Sequence, residues 1–212
     1  MHIKVCGLKY PDNIKAVELL SPNYMGFICY QKSSRFIDEV DERALTDIPP
    51  HIKKTGVFVN EEAHTINTLI DKYHFDAIQL HGNESAELCK LFKGKFEVIK
   101  AFGVDDNFDF SILDAYESSV DYFLFDTKTV AHGGSGQTFN WGVLEKYKLS
   151  TPFFLSGGLS AENIKEVMQI KHPAFYGVDL NSRFELSPGL KDIDKLKQAF
   201  DTIKNYSNEV RS

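Results

Sequence analysis

Short apolar runs alternate with longer mixed stretches along nearly the whole chain. The runs are Ile3 to Cys6, Tyr24 to Cys29, Thr55 to Val59, Ala77 to Leu80, Glu97 to Ala101, Tyr122 to Phe125, Pro152 to Leu155 and Phe175 to Leu180. Each has the length of a buried strand. Helix-length segments follow them: Pro11 to Leu20, Asp41 to Ile48, Glu61 to Tyr73, Glu84 to Phe92, a less regular Asn107 to Glu117, Trp141 to Tyr147, Ala161 to Ile170 and Asp192 to Tyr206. Strict alternation of this kind implies a parallel sheet covered by helices. Eight such units in 212 residues predict an α/β fold, a single closed (β/α)8 TIM barrel over residues 1–206. Residues 207–212 read as a frayed tail. A doubly wound open sheet is the alternative, but it calls for a glycine fingerprint after the first strand, where only Gly7 stands.

Side chains alternate across a strand, so parity says which residues share a face. His2, Lys4 and Cys6 go together, as do Gln79 with His81, Leu124 with Asp126, and Gly177 with Asp179. The outer faces need apolar residues to pack under helices, so the polar sets point into the barrel. Strand ends then bring Cys6, His81 and Asp126 to one rim. Lys4 lies a layer deeper and needs a counterion, for which Asp179 is the candidate.

Composition narrows the partners. With 42% hydrophobic residues the chain can bury one sizeable core. A formal net charge of -6 and no dense Lys/Arg block argue against nucleic acid or an anionic membrane. No apolar run approaches the roughly 20 residues of a membrane span, and the first ten residues lack a signal-peptide pattern. Cys6, Cys29 and Cys89 are few and far apart, which fits neither a disulfide framework nor a CxxC metal site. A reducing cytoplasm and a monomer are the expected setting.

Candidate chemistry sits where strands end. Tyr122 to Trp141 is an apolar run closing on Asp126, then a loop with Gly133, Gly134 and Gly136, then Asn140 as a helix N-cap. Such glycines admit a ligand or hinge a lid; Asp126 is a catalytic acid or a loop cap. Cys6 at the mouth of the first strand is a base if its pKa falls from about 8.5 toward neutrality, or an inert packing thiol. Arg35 follows the second strand as a fork for a carboxylate or as a solvated loop residue. His81 follows the fourth as a hydrogen-bond donor or a structural histidine, with Glu84 opening the next helix. Gly157 and Gly158 after the seventh strand, with Asn181 and Ser182 after the eighth, form the loops where barrels bind phosphate. No Walker-type lysine follows them, and no spacing suggests a metal.

Taken together, KVCGLKYPDNI, GFICYQKSSRFI, GVFVN, IQLHGNES, FDTKTVAHGGSGQTFNW, FLSGGLSAENI and DLNSRFELSPGLKD resemble, in order, the signatures of the phosphoribosylanthranilate isomerases of tryptophan biosynthesis. The resemblance spans Lys4 to Asp192. It implies a cofactor- and metal-independent Amadori rearrangement of N-(5'-phosphoribosyl)anthranilate. By position it makes Cys6 the general base, Asp126 the general acid, Arg35 the grip on the anthranilate carboxylate, and Gly157, Gly158 and Ser182 the phosphate loops. Asn181-Ser182-Arg183 departs from the family's Ser-Ser-Gly; Arg183 is expected to face solvent, and would be strained if the backbone needed φ > 0 there. The competing readings are another sugar-phosphate barrel, epimerase-like or with a second substrate, and a non-catalytic phosphate-binding barrel.

Overall fold

The computed structural model describes residues 1–38, 42–128 and 138–209. Eight parallel strands close into one barrel. They are β1 (His2–Cys6), β2 (Tyr24–Ile28), β3 (Lys53–Phe58), β4 (Ala77–Leu80), β5 (Glu97–Val104), β6 (Tyr122–Thr127), β7 (Phe153–Leu155) and β8 (Phe175–Leu180). Closure runs through β1 and β8, in a register that sets Lys4 opposite Asp179. Every apolar run read from the sequence is a strand, with seven of the sixteen ends moved by one to three residues.

The outer layer holds α1 (Pro11–Glu18), α2 (Glu42–Thr46), α3 (Ala63–Tyr73), α4 (Ala86–Phe92), α5 (Ile164–Val167) and α6 (Ile193–Glu209). Pro11 opens α1, where its missing N–H costs nothing. α3 buries Ile66, Ile70 and Tyr73 on one face and stops on His74, whose φ of 52° is left-handed. Each buried isoleucine there contributes about 1.5–3 kcal/mol. Among the described residues no helix is long and apolar enough to cross a membrane.

Five segments differ from the sequence pattern. After β5 and β6 the chain makes 3-10 turns, Phe110–Ala115, Glu117–Ser119 and Trp141–Lys146, in place of α-helices. Local side-chain bonds favour the tighter turn: Asp109 accepts from the Ser111 N–H and Asn140 from the Gly142 N–H, each at 3.0 Å. α5 keeps only four residues of the expected Ala161 to Ile170. α6 runs to Glu209, past the expected boundary at 206. Beyond β8 lies a hairpin that the alternation does not predict, β9 (Glu185–Ser187) and β10 (Leu190–Lys191). Its turn is Pro188-Gly189 with Gly189 at φ 86°, the type II arrangement those residues favour.

The barrel interior is layered. Tyr24, Ile99, Ala101, Leu124 and Phe154 fill its lower half, with Tyr122 and Tyr176 beneath. At the lower mouth Glu97 accepts from the Tyr24 hydroxyl at 2.9 Å and pairs with Lys53. Above the apolar plug sit Lys4 and Asp179, fully buried and 2.9 Å apart, the pair that parity predicts. Burial works against the Lys4 ammonium, and the Asp179 carboxylate and Cys6 sulfur outweigh it, so its pKa is raised. Removing one partner of such a pair strands a charge at a cost of about 3–5 kcal/mol. Asp179→Ala is therefore expected to lower the urea midpoint sharply, and Lys4→Met with Asp179→Leu to recover most of the loss. A midpoint unmoved by Asp179→Ala would deny the pair its structural role.

Candidate active site

The strand ends converge as the alternation implies. Cys6 from β1, Arg35 after β2, His81 after β4, Asp126 from β6 and Asn181 after β8 line one open cleft of about 600 Å³. Ile28, Tyr30, Val57 and Val59 form an apolar wall beside Arg35, and parity reasoning about polar residues gave no reason to look for it. Gly157, Gly158 and Ser182 line a second hollow of about 320 Å³, together with Asp126, Ser156, Asp179 and Asn181. Asp126, Ser156, Asp179 and Asn181 line both, so the two are halves of one elongated site. Gly134 and the rest of the glycine loop, Gly133 to Gly136, lie outside the described residues.

Cys6 is buried, only 3% exposed. Burial pushes its thiol above the ordinary range, against the pull of the Lys4 ammonium and, more weakly, of Lys191. The fall toward neutrality that would make it a ready thiolate is not seen; this thiol holds its proton until something removes it. Cys29 and Cys89 are pushed to about 12 and about 11 by burial and pack in the core, as expected of them.

Asp126 is tethered at the end of β6, where Oδ1 accepts from the Thr127 N–H at 2.8 Å. Its Oδ2 lies 3.4 Å from His81 Nε2. The other ring nitrogen of His81, Nδ1, is 2.8 Å from the Gln79 amide nitrogen. With Gln79 donating to Nδ1, the proton of a neutral His81 sits on Nε2 and faces Asp126. The loop carrying His81 is fixed from beneath by a buried pair. Lys100 Nζ donates to the backbone oxygens of Leu80 (3.2 Å) and Gly82 (2.8 Å) and to Glu84 (3.1 Å). Glu84 also accepts from the Asn60 and Gly82 N–H groups at 2.7 and 2.8 Å. The sequence pattern gave Glu84 to the next helix. Instead Ser85 caps α4, and Glu84 turns inward because it can satisfy Lys100.

Gly157 (φ 82°) and Gly158 (φ 65°) take conformations that favour glycine. A Cβ on Gly157 would collide with Thr127 and come within 2.7 Å of Asp126 Oδ1. The glycine thus lets the seventh loop close against the end of β6.

Arg35 does not stand alone. Its Nε donates to Glu185 Oε1 and Oε2 at 2.9 and 3.1 Å, and its Nη2 to Oε2 at 2.7 Å. This hydrogen bonding raises its pKa. Glu185 belongs to the hairpin that the alternation missed.

The family model described as N-(5'phosphoribosyl)anthranilate (PRA) isomerase matches residues 3–202. The chain belongs to this family. An N-(5'-phosphoribosyl)anthranilate isomerase of Parabacteroides distasonis is 46% identical, over 99% of this chain and 96% of its own. The crystal structure of phosphoribosyl anthranilate isomerase from Thermotoga maritima superposes with a TM-score of 0.85 at 33% identity, covering 97% of this chain and 99% of that one. A further isomerase structure, in complex with reduced 1-(o-carboxyphenylamino)-1-deoxyribulose 5-phosphate, has a TM-score of 0.81 at 29% identity, over 97% and 99% of the two chains. The Ser182-Arg183-Phe184 turn is 3-10. Arg183 is exposed, and its φ is not among the positive ones, so it carries no left-handed strain.

Proposed function

We propose that this chain isomerises N-(5'-phosphoribosyl)anthranilate to 1-(2-carboxyphenylamino)-1-deoxyribulose 5-phosphate, the tryptophan-pathway step of its family. The observation that carries the reading is one elongated site. It has a thiol and a carboxyl group on its walls, an arginine beside an apolar face at one end, and paired glycines at the other. The two ends match the substrate's anthranilate and phosphate, and the middle matches its ribose.

In this reading the chemistry divides between two residues. Asp126, as general acid, gives a proton to the ribose ring oxygen as the C1'–oxygen bond breaks, leaving a Schiff base between C1' and the anthranilate nitrogen. Cys6, as thiolate, then takes the C2' proton. The electron pair moves into an enolamine, which gains a proton at C1', loses one from the 2'-hydroxyl and ends as the ketone. No oxidant is needed, because the hydrogen lost at C2' is balanced by the one gained at C1'. Acid and base act on one substrate from separate walls, the division of labour general acid–base catalysis requires. Backbone N–H groups of Gly157 and Gly158, with Asn181 and Ser182, hold the phosphate. His81 donates to the sugar from beside Asp126. Three free thiols support a reducing cytoplasm as the setting.

Incubation with freshly prepared substrate tests the reading by loss of anthranilate fluorescence. Turnover supports it. A flat trace with the reduced product analogue still bound would favour a non-catalytic binding barrel, and turnover of a different sugar phosphate alone would favour the epimerase-like alternative.

A further inference from the structure

The hairpin beyond β8 brings a second cation to the carboxylate that holds Arg35. Lys191 Nζ donates to Glu185 Oε1 at 2.8 Å and to Asn181 Oδ1 at 2.8 Å. Its side chain is 0% exposed, that of Glu185 4% and that of Arg35 13%. Lys191 is also pinned by its backbone. Its N–H donates to Asn13 Oδ1 at 2.7 Å and its carbonyl accepts from Asn13 Nδ2 at 2.9 Å, so α1 fixes where the ammonium can reach. Gly189 N–H adds a bond to Glu185 Oε1 at 3.1 Å. Gly7 completes the fit, since a Cβ there would lie 2.8 Å from both Arg35 Cδ and Asn181 Oδ1.

The charges in this cluster do not cancel. One carboxylate, Glu185, serves two cations, Arg35 and Lys191, and holds the Lys191 ammonium against the burial that lowers its pKa, which leaves one positive charge over. Arg35 and Glu185 alone would be a closed neutral pair with no reason to attract a second anion. Glu185 takes the Nε and Nη2 edge of the guanidinium, and Nη1 has no partner among the described residues. A buried surplus charge is costly until an anion arrives. We propose that Lys191 is a positioning residue that works through Glu185, keeping Arg35 in surplus positive charge and presenting its free edge to the ring carboxylate of the substrate. This rests on the isomerase reading above, but it assigns the selectivity for the carboxylate to the three residues together and not to Arg35 alone.

The measurement is a ratio of dissociation constants. One ligand is the reduced product analogue; the other is the same molecule with a plain phenylamino group, lacking the carboxylate. Wild type is expected to prefer the first. Lys191→Met keeps the length of the side chain and removes its charge. It is expected to shrink the preference about tenfold or more, as losing one charge-assisted interaction does. Affinity for the phenylamino compound should fall much less, since whatever Lys191 gives the phosphate through Asn181 is common to both ligands and cancels in the ratio. Lys191→Met combined with Glu185→Gln leaves Arg35 as the sole charge, restores the surplus and should recover most of the preference. The double variant buries no unpaired carboxylate, so it keeps the test available if the single variant fails to fold. An unchanged preference in Lys191→Met overturns the proposal. So does an equal loss of affinity for both ligands, or a double variant no more selective than the single one. If wild type itself neither binds the analogue nor turns over substrate, the isomerase reading is what has failed.

Discussion

Cys6→Ala is expected to lower turnover of N-(5'-phosphoribosyl)anthranilate about 10²- to 10⁴-fold, the usual contribution of a positioned proton-transfer group. Affinity for the reduced product analogue should change little, because the thiol contributes neither a charge anchor nor the apolar wall. The pH dependence carries more information than the drop. Burial sets the Cys6 thiol above its ordinary range despite the neighbouring Lys4, so near neutrality most molecules hold the protonated, inactive form. Raising pH converts thiol to thiolate, and kcat/KM of the wild type should climb with pH as long as the general acid keeps its proton. A base held this way is scarce but strong, because a desolvated thiolate has more to gain from a proton. Cys6→Ser, whose hydroxyl does not ionise in this range, should lose the climb together with the rate. Wild-type turnover in Cys6→Ala, or an unaltered pH profile in Cys6→Ser, would remove the thiol from the chemistry.

The barrel was readable because its signal is repeated. Eight buried strands each give a short apolar run, and a mistake in one does not change the count. Parity within strands was equally robust, and it paired Lys4 with Asp179 across 175 residues from the need of a buried ammonium for a counterion. What stayed hidden was non-local or locally ambiguous. Arg35 was legible as a cation in a loop, but its partner Glu185 lies 150 residues away, in a hairpin whose two short strands resemble a loop leading to α6. The signal was present in Glu185-Leu186-Ser187 followed by Pro188-Gly189, a turn dipeptide between extended residues. Glu84 was read as a helix opener because its sequence neighbours say so; only Lys100, from the next strand, explains why it turns inward. In the Phe110 and Trp141 segments, side-chain oxygens at Asp109 and Asn140 accept from the N–H two residues on and tighten the chain into 3-10 turns.

Asp126→Asn is expected to cost a comparable 10² to 10⁴ in turnover, for a different reason and with a different signature. Asparagine keeps the shape, and its side-chain oxygen can still accept from the Thr127 N–H as Asp126 Oδ1 does at 2.8 Å. His81 Nε2, 3.4 Å from Oδ2, loses a carboxylate neighbour but not its own tie to Gln79. What disappears is the carboxyl proton assigned to ring opening. Without it, ring opening becomes the slow step, and removal of the C2' proton drops behind it. A substrate with deuterium at C2' separates the two roles. In Cys6→Ala the proton removal itself is slowed, so the isotope effect should be at least that of the wild type. In Asp126→Asn it should fall toward one, because the bond to C2' hydrogen is broken after the slow step. Combining the two substitutions should then cost far less than the product of the separate losses, since they slow consecutive steps and only the slower one is seen. A full isotope effect in Asp126→Asn would mean that ring opening proceeds without this carboxyl group, and the acid would have to be sought elsewhere on the same wall, with His81 the first residue to replace.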